Sequence, residues 1–163
     1  KESSAASDVY KRQERDHLDE ARLRPEVSGV VAKSDGLMPL MTAIRAVAFG
    51  QRLPDTHIDR PRVPLYELFV GQRGHTAGRL AGAIASGAAS DNASLARAAK
   101  VSPNTANKVT SHYLGPIIER RGEHDERLPM TQSAVYRWCG LHARYIVSWC
   151  RRHGHADVLD GRL

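Results

Sequence analysis

The feature that most restricts the fold is the stretch 94–114, which reads SLARAAKVSPNTANKVTSHYL. Its two ends are rich in small and polar residues compatible with helix, and the short hinge 100–103 separates them. Pro103 suits the first turn of a helix, because its missing N–H would have no partner there anyway. The stretch therefore predicts two consecutive helices, over residues 92–100 and 103–114, joined by a tight turn.

Small or apolar residues recur at the positions where two steeply crossing helices would meet. This set comprises Leu95, Ala96, Ala99, Val101, Ala106 and Val109. A larger side chain than alanine at Ala96 would push the helices apart. The pattern resembles the helix-turn-helix of bacterial regulators, whose general form is I-A-x-x-A-x-V-S-x-x-T-V. Lys100 departs from it, because many of these motifs have glycine there.

The resemblance implies that the second helix enters the major groove of duplex DNA. The polar residues predicted to face the DNA are Ser102, Asn104, Thr105, Asn107, Lys108, Ser111 and His112. Asparagine can bond adenine bidentately and lysine can reach guanine or a phosphate, so Asn104, Asn107 and Lys108 are predicted to contact bases. The hydroxyls of Ser102, Thr105 and Ser111 are predicted to contact the phosphate backbone.

A third helix, predicted over residues 76–86, precedes this pair at the spacing that a trihelical domain needs. Its sequence, TAGRLAGAIAS, offers small residues that allow close approach of neighbouring helices. Asp91 or Asn92 can cap the helix that follows by accepting a backbone N–H bond. The residues GQRGH at 71–75 lack a preceding strand and the full spacing of a phosphate-binding loop, so they predict a turn.

After the motif, Gly115-Pro116 predicts the end of the second helix. Residues 116–121 and 127–130 can pair as a short β-hairpin, the wing of a winged-helix domain. The arginines that would then face the DNA are Arg120, Arg121 and Arg127. Acidic residues at the tip, Glu123, Asp125 and Glu126, oppose deep insertion into a groove, so a plain loop is the alternative.

Residues 131–153 predict a long C-terminal helix with an apolar seam at alternating spacings of three and four. The seam comprises Val135, Trp138, His142, Tyr145, Trp149 and His153. A near-repeat, Trp-Cys-x-x-His at 138–142 and again at 149–153, has ligand types that suit zinc, but one straight helix cannot bring both halves to one ion. We therefore expect no metal and no cofactor. The seam is expected to pack beneath the domain or to form a homodimer interface.

The charge distribution supports a phosphate-bearing partner for the second half of the chain. Residues 71–163 hold thirteen Lys and Arg against seven Asp and Glu, whereas residues 14–70 hold eight against nine. Basic surfaces attract the phosphate backbone of nucleic acids. The predicted domain order is a truncated helical region at 14–50, a Pro/Arg linker at 51–64, the DNA-binding domain at 65–155 and a tail at 156–163.

The first residues are expected to be foreign to the protein. The segment 3–13, SSAASDVYKRQ, resembles the translation of a transposase-based sequencing adaptor, since DVYKRQ back-translates to GATGTGTATAAGAGACAG. Residues 1–13 are accordingly interpreted as an adaptor-derived tail on a fragment assembled from prokaryotic environmental DNA.

Taken together, the sequence predicts a mainly α protein with a trihelical helix-turn-helix core, a short β-hairpin wing and a long C-terminal helix. Its expected function is sequence-specific binding of double-stranded DNA, as a transcription regulator or as a plasmid or phage replication or partition protein. Motifs for catalysis are lacking, so we expect no enzyme. Sparse cysteine and the lack of a long apolar run predict a cytoplasmic protein without a membrane partner. The alternative is an all-α module that binds another protein and no DNA.

Overall fold

The computed structural model describes residues 15–32, 35–53 and 63–159. The adaptor-like segment, most of the predicted linker and the last four residues of the chain lie outside the described residues. The described residues are mainly helical, as predicted, and they contain no β-strand. The chain divides into a smaller unit, residues 17–62, and a larger unit that comprises residues up to 16 and from 63 onward.

The described helices follow one another along the chain. They are α1 (15–23), α2 (Leu37–Ala48), α3 (Leu65–Leu68), α4 (Gly71–Ala85), α5 (Asn92–Ala99), α6 (Pro103–Val109), α7 (Gly115–Arg120), α8 (Gln132–Leu141) and α9 (Ala143–Arg152). A π turn, Thr110–Leu114, joins α6 to α7, and a 3-10 turn, Ala156–Val158, follows α9. Among the helices of the described ranges, none combines the length and the apolar character that a bilayer crossing requires.

The smaller unit is built around α2, which lies within the helical region predicted at 14–50. The helix ends at a glycine: Gly50 adopts a positive φ of 74° and its N–H donates to the carbonyl of Val47. Within α2 only Ala43 is buried, so most of the apolar side chains of this helix remain exposed.

Helix α4 is the centre of the larger unit and contacts α5, α6, α8 and α9. It begins at Gly71, so the turn predicted at 71–75 is wrong and this segment forms the first helical turn. Most of its buried residues are small: Gly74, Ala77, Gly78, Leu80, Ala81, Gly82, Ala83 and Ile84. A helix with so little side-chain volume lets its neighbours pack directly against its backbone.

Two glycines of α4 set its distance to α9. A Cβ atom on Gly78 would lie 2.4 Å from the ring of Trp149, and one on Gly82 would lie 2.4 Å from Sγ of Cys150. The thiol of Cys150 donates to the carbonyl oxygen of Gly78 at 3.4 Å. The Trp149 ring also packs against Phe69, with ring centroids 5.0 Å apart. These contacts require glycine at both α4 positions.

The predicted long C-terminal helix is two helices, because the backbone of His142 leaves helical geometry at φ −107° and ψ 13°. The seam predicted on it lies in the core of the larger unit: Val135, Trp138, Tyr145 and Trp149 are each at most 3 % exposed. Its apolar side chains therefore pack against α4, rather than against a second copy of the chain.

Replacing Gly78 by alanine should destabilise the larger unit by about 1–3 kcal/mol, because the added methyl group overpacks the Trp149 contact. The loss should occur although alanine is the better helix former by about 1 kcal/mol. Gly140→Ala is the matched control, since the space around a Cβ at this helical glycine is open within 4 Å. Chemical denaturation should show Gly140→Ala at or above wild-type stability; equal stabilities for the two variants would contradict the packing argument.

Candidate nucleic-acid interface

The turn between α5 and α6 is fixed by its backbone. Lys100 adopts the left-handed conformation, φ 55° and ψ 45°, and it is the one non-glycine residue with a positive φ in the described ranges. The N–H of Lys100 donates to Arg97 and the N–H of Val101 donates to Ala96, at 3.2 and 3.0 Å. This pair of bonds is the Schellman termination. Lys100 thus takes the conformation for which many related turns use glycine.

Side-chain caps hold the beginnings of both helices. Asp91 caps α5, as predicted, and forms a reciprocal capping box with Ser94. Ser102 caps α6 by accepting the N–H of Thr105 at 3.0 Å. The side-chain amide of Asn92 donates to the carbonyl oxygen of Pro103 at 3.1 Å, which ties the first turn of α6 to the start of α5. The orientation of α6 is therefore set by local hydrogen bonds as well as by packing.

The predicted contact residues lie on the solvent side of α6 and the π turn. The inward side of this helical segment is buried at Ala106, Thr110 and Leu114. The exposed residues, called here the α6 polar face, are Asn104, Asn107, Lys108, Ser111 and His112. Within the described part of the chain, the side chains of Asn104, Asn107 and Lys108 form no hydrogen bond or ion pair, so their donors and acceptors are available to a ligand.

Ser102 and Thr105 are partly engaged with each other. Ser102 is exposed and Thr105 is half-buried, and their hydroxyl oxygens are 2.8 Å apart. Each hydroxyl has one proton, and this contact uses one of the two. The remaining hydroxyl proton can be donated outward, so one of the two residues can bond a phosphate oxygen without breaking the cap.

The second helix does not stop at Gly115-Pro116, contrary to the prediction. The helical path continues through the π turn into α7, and the N–H of Gly115 donates to the carbonyl of Thr110, five residues back. Pro116 lies in the first turn of α7, where its missing N–H is tolerated. The hairpin predicted after it is not found, because residues 116–120 are helical and the described ranges contain no strand.

The three arginines predicted on the wing have different surroundings. Arg120 is exposed at the end of α7, and Arg127 is exposed in the loop that follows. Arg121, by contrast, has a side chain that is 1 % exposed and bound by two carboxylates. Arg120 and Arg127 can reach a ligand from the surface, whereas Arg121 cannot.

Arg121 belongs to a buried charge cluster of Asp16, Arg121, Glu123 and His142. Asp16 accepts from Arg121 at 2.9 Å and hydrogen-bonds the Nδ1 side of the His142 ring. Glu123 accepts from Nε of Arg121 at 2.9 Å and lies 3.2 Å from Nε2 of His142. None of these four side chains is more than 6 % exposed. Because all four are paired and shielded from solvent, the cluster serves the fold rather than a ligand.

The pKa shifts in this cluster follow from pairing. Burial alone would lower the pKa of His142, but its hydrogen bonds to Asp16 and Glu123 and their negative charge raise it. Burial alone would raise the pKa of Glu123, but His142 and Arg121 hold it well below its ordinary range. Trp138 adds a hydrogen bond from Nε1 to Glu123 at 2.7 Å. The folded chain therefore favours a protonated His142 beside an ionised Glu123.

A second cluster, formed by Arg79, Lys100 and Asp157, links α4 and the α5–α6 turn to the 3-10 turn that follows α9. Asp157 accepts from both terminal nitrogens of Arg79 at 2.9 Å and from Nζ of Lys100 at 3.0 Å. These hydrogen bonds, those from Arg79 first, hold the pKa of Asp157 well below its ordinary value. Residues 156–159 therefore pack with the larger unit, although the sequence predicted a tail there. No sequence spacing signals this cluster, because its members are far apart in the chain.

The Trp-Cys-x-x-His repeats place all their named residues in the core except His153, which is exposed. Cys139 and Cys150 are buried free thiols. Within the described ranges, no group of three or more His, Cys, Asp or Glu side chains is arranged to hold a metal ion.

Comparisons of the chain with protein-family models, with curated proteins and with solved structures found no significant match. The geometry of the α6 polar face and the charges around it are therefore the basis for a proposed function.

The raised pKa of His142 predicts that stability falls as the pH rises. The contribution of His142 to the free energy of unfolding is fully present below about pH 6.5, the ordinary histidine pKa. It is lost as the pH rises through the raised pKa of the folded state, by up to about 1.4 kcal/mol per pH unit. Denaturation curves between about pH 6.5 and 8.5, below the ionisation of unfolded thiols, measure this slope. His142→Gln should be less stable and should lack the slope.

His112→Gln is the matched control for this measurement, because His112 is exposed on the α6 polar face. This variant should keep the wild-type dependence on pH. A wild-type stability that stays level over this range, or a slope that survives in His142→Gln, would refute the role given to His142.

Proposed function

We propose that α4, α5 and α6 form a trihelical helix-turn-helix and that the α6 polar face reads duplex DNA in the major groove. The observation that carries the proposal is the exposed row of Asn104, Asn107 and Lys108 on a helix whose opposite side is buried. An α-helix fits the major groove, where each base pair presents a distinct set of donors and acceptors. Amide and ammonium groups can bond those base edges.

The charge around the α6 polar face suits a polyanion. The helices of the proposed motif, α4, α5 and α6, contain no aspartate or glutamate, so all their charged side chains are basic. Lys100 is already paired with Asp157, which leaves Lys108 and the exposed Arg97 as the cations of this region. Phosphate neutralisation by such cations supplies the part of DNA affinity that does not depend on sequence.

The roles follow from reach and chemistry. Asn104, Asn107 and Lys108 are proposed to contact bases, because amide and ammonium groups pair with adenine and guanine edges. Hydroxyls from Ser111 and from the Ser102–Thr105 pair are proposed to bond phosphates and fix the register. The residues proposed to contribute flanking backbone contacts are His112, Arg120 and Arg127. Arg121 is left out because its guanidinium is enclosed by carboxylates.

Such a domain suits a transcription regulator or a plasmid or phage replication or partition protein, since all of these place a helix in a specific groove. The left-handed Lys100 and the bond from Asn92 to Pro103 support a reading role, because a base-contacting helix must be held rigidly. The proposed partner is double-stranded DNA, and the proposed work is binding rather than catalysis.

Binding to a library of duplexes across a salt series tests the proposal. We expect affinity to fall steeply with salt concentration, because bound phosphates release counterions. In Asn107→Ala the discrimination between selected and unrelated duplexes should fall by about 1–3 kcal/mol, because one base contact is lost. In Lys108→Glu the affinity for every duplex should fall and the salt dependence should become shallower.

Arg144→Glu provides the charge-matched control, because Arg144 is exposed on α9 and lies outside the proposed motif. Its affinity for DNA should stay close to that of the wild type. Failure of the wild-type chain to bind any duplex at low salt would overturn the proposal and favour an interaction module for proteins. Equal losses in Lys108→Glu and Arg144→Glu would show attraction by net charge without a specific surface.

A further inference from the structure

The exposed apolar surface of this protein is concentrated at α2. Ten large apolar side chains are exposed in the described ranges, and seven of them belong to α2 or to Phe49, the residue that follows it. The exposed fraction reaches 69 % at Leu37, 73 % at Met38 and 84 % at Phe49. A contiguous apolar patch of this kind on a protein surface marks an interaction site.

The spacing along α2 is that of a helix-pairing seam. Leu37, Leu40, Ile44 and Val47 are separated by three, four and three residues, the a/d pattern with which two helices interlock. Beside this seam runs a groove of about 480 Å³ between α2 and the segment 29–31, and every residue that lines it is apolar. The surface is therefore shaped to receive another helix.

The size of the patch matches half of a stable protein interface. Its seven side chains are each 40–84 % exposed. At roughly 100 Å² for each, the four seam residues offer about 400 Å² per copy and the whole patch about 700 Å², against the roughly 800 Å² that each partner contributes to a standard interface. Two copies of the same patch would thus bury enough surface for a specific dimer.

The sparse charge on α2 suits a second copy of the chain as the occupant. Arg45 is the single charged residue of α2; it lies about 100° around the helix from Ile44, and its long stem can carry the guanidinium past the patch into water. Two copies of the seam therefore meet without opposing like charges, as a symmetric interface requires. A nucleic acid or an acidic peptide would find no complementary charge on the seam itself.

We propose that the chain forms a homodimer through the apolar face of α2. The seam predicted for that purpose on residues 131–153 is occupied by α4 within the larger unit, whereas the apolar face of α2 is exposed. This dimer does not depend on the proposed DNA binding, because α2 belongs to the smaller unit and the α6 polar face to the larger one.

Sedimentation velocity of the full chain, without DNA, tests the dimer over concentrations from about 1 to about 100 µM. The wild type should sediment as a dimer at the upper end. Ile44→Asp should raise the dissociation constant by about a hundredfold or more, because it places a charge at the centre of the apolar seam. Circular dichroism should show that its helix content is retained, since the Ile44 side chain is 55 % exposed.

Thr42→Asp adds the same charge to the same helix, but about 160° around the helix axis from Ile44. Thr42 is exposed, and this variant should remain dimeric. A wild type that is monomeric at every concentration would overturn the proposal. A dimer that survives Ile44→Asp would overturn it as well, because it would place the interface elsewhere.

Discussion

The close approach of α9 to α4 is the contact on which the larger unit depends. With no Cβ on Gly78 and Gly82, the ring of Trp149 and the thiol of Cys150 lie against the backbone of α4. Because α4 also contacts α5 and α6, the position of α6, the proposed reading helix, depends on the same α4 backbone. A shift of α4 by the width of a methyl group would therefore reach the α6 polar face. Small residues here are needed for proximity rather than for flexibility.

Charge pairing provides the second constraint. Two carboxylates, a guanidinium and an imidazole are buried together and pair with one another; they belong to residues 16, 123, 121 and 142. Four buried charges are tolerable only because each is satisfied, since an unpaired one would cost several kcal/mol. This requirement accounts for two departures from the sequence prediction. Arg121 turns inward instead of facing DNA, and the C-terminal helix breaks at His142, whose ring lies between Asp16 and Glu123.

The sequence predicts those features of the fold that are determined by residues close to one another in the chain. The bounds of α5, the start of α6 at Pro103 and the cap at Asp91 follow from residues within one or two helical turns, and the structure confirms them. The wing prediction is wrong because Gly115-Pro116 does not stop the helix: Pro116 is tolerated in the first turn of α7. The Asp157 cluster was unpredictable, because its partners Arg79 and Lys100 are distant in sequence.

The two proposed surfaces rely on opposite forces, which makes them separable in one solution. The proposed contacts from Lys108 to phosphate are expected to weaken as salt rises, since counterion release then yields less free energy. Burial of the α2 face gains or keeps strength under the same change, because excluded salts favour apolar burial. A dimer of DNA-binding units also explains why both surfaces would exist in one chain. Two reading helices held in one particle can contact two half-sites, and the second contact then forms at a high effective concentration.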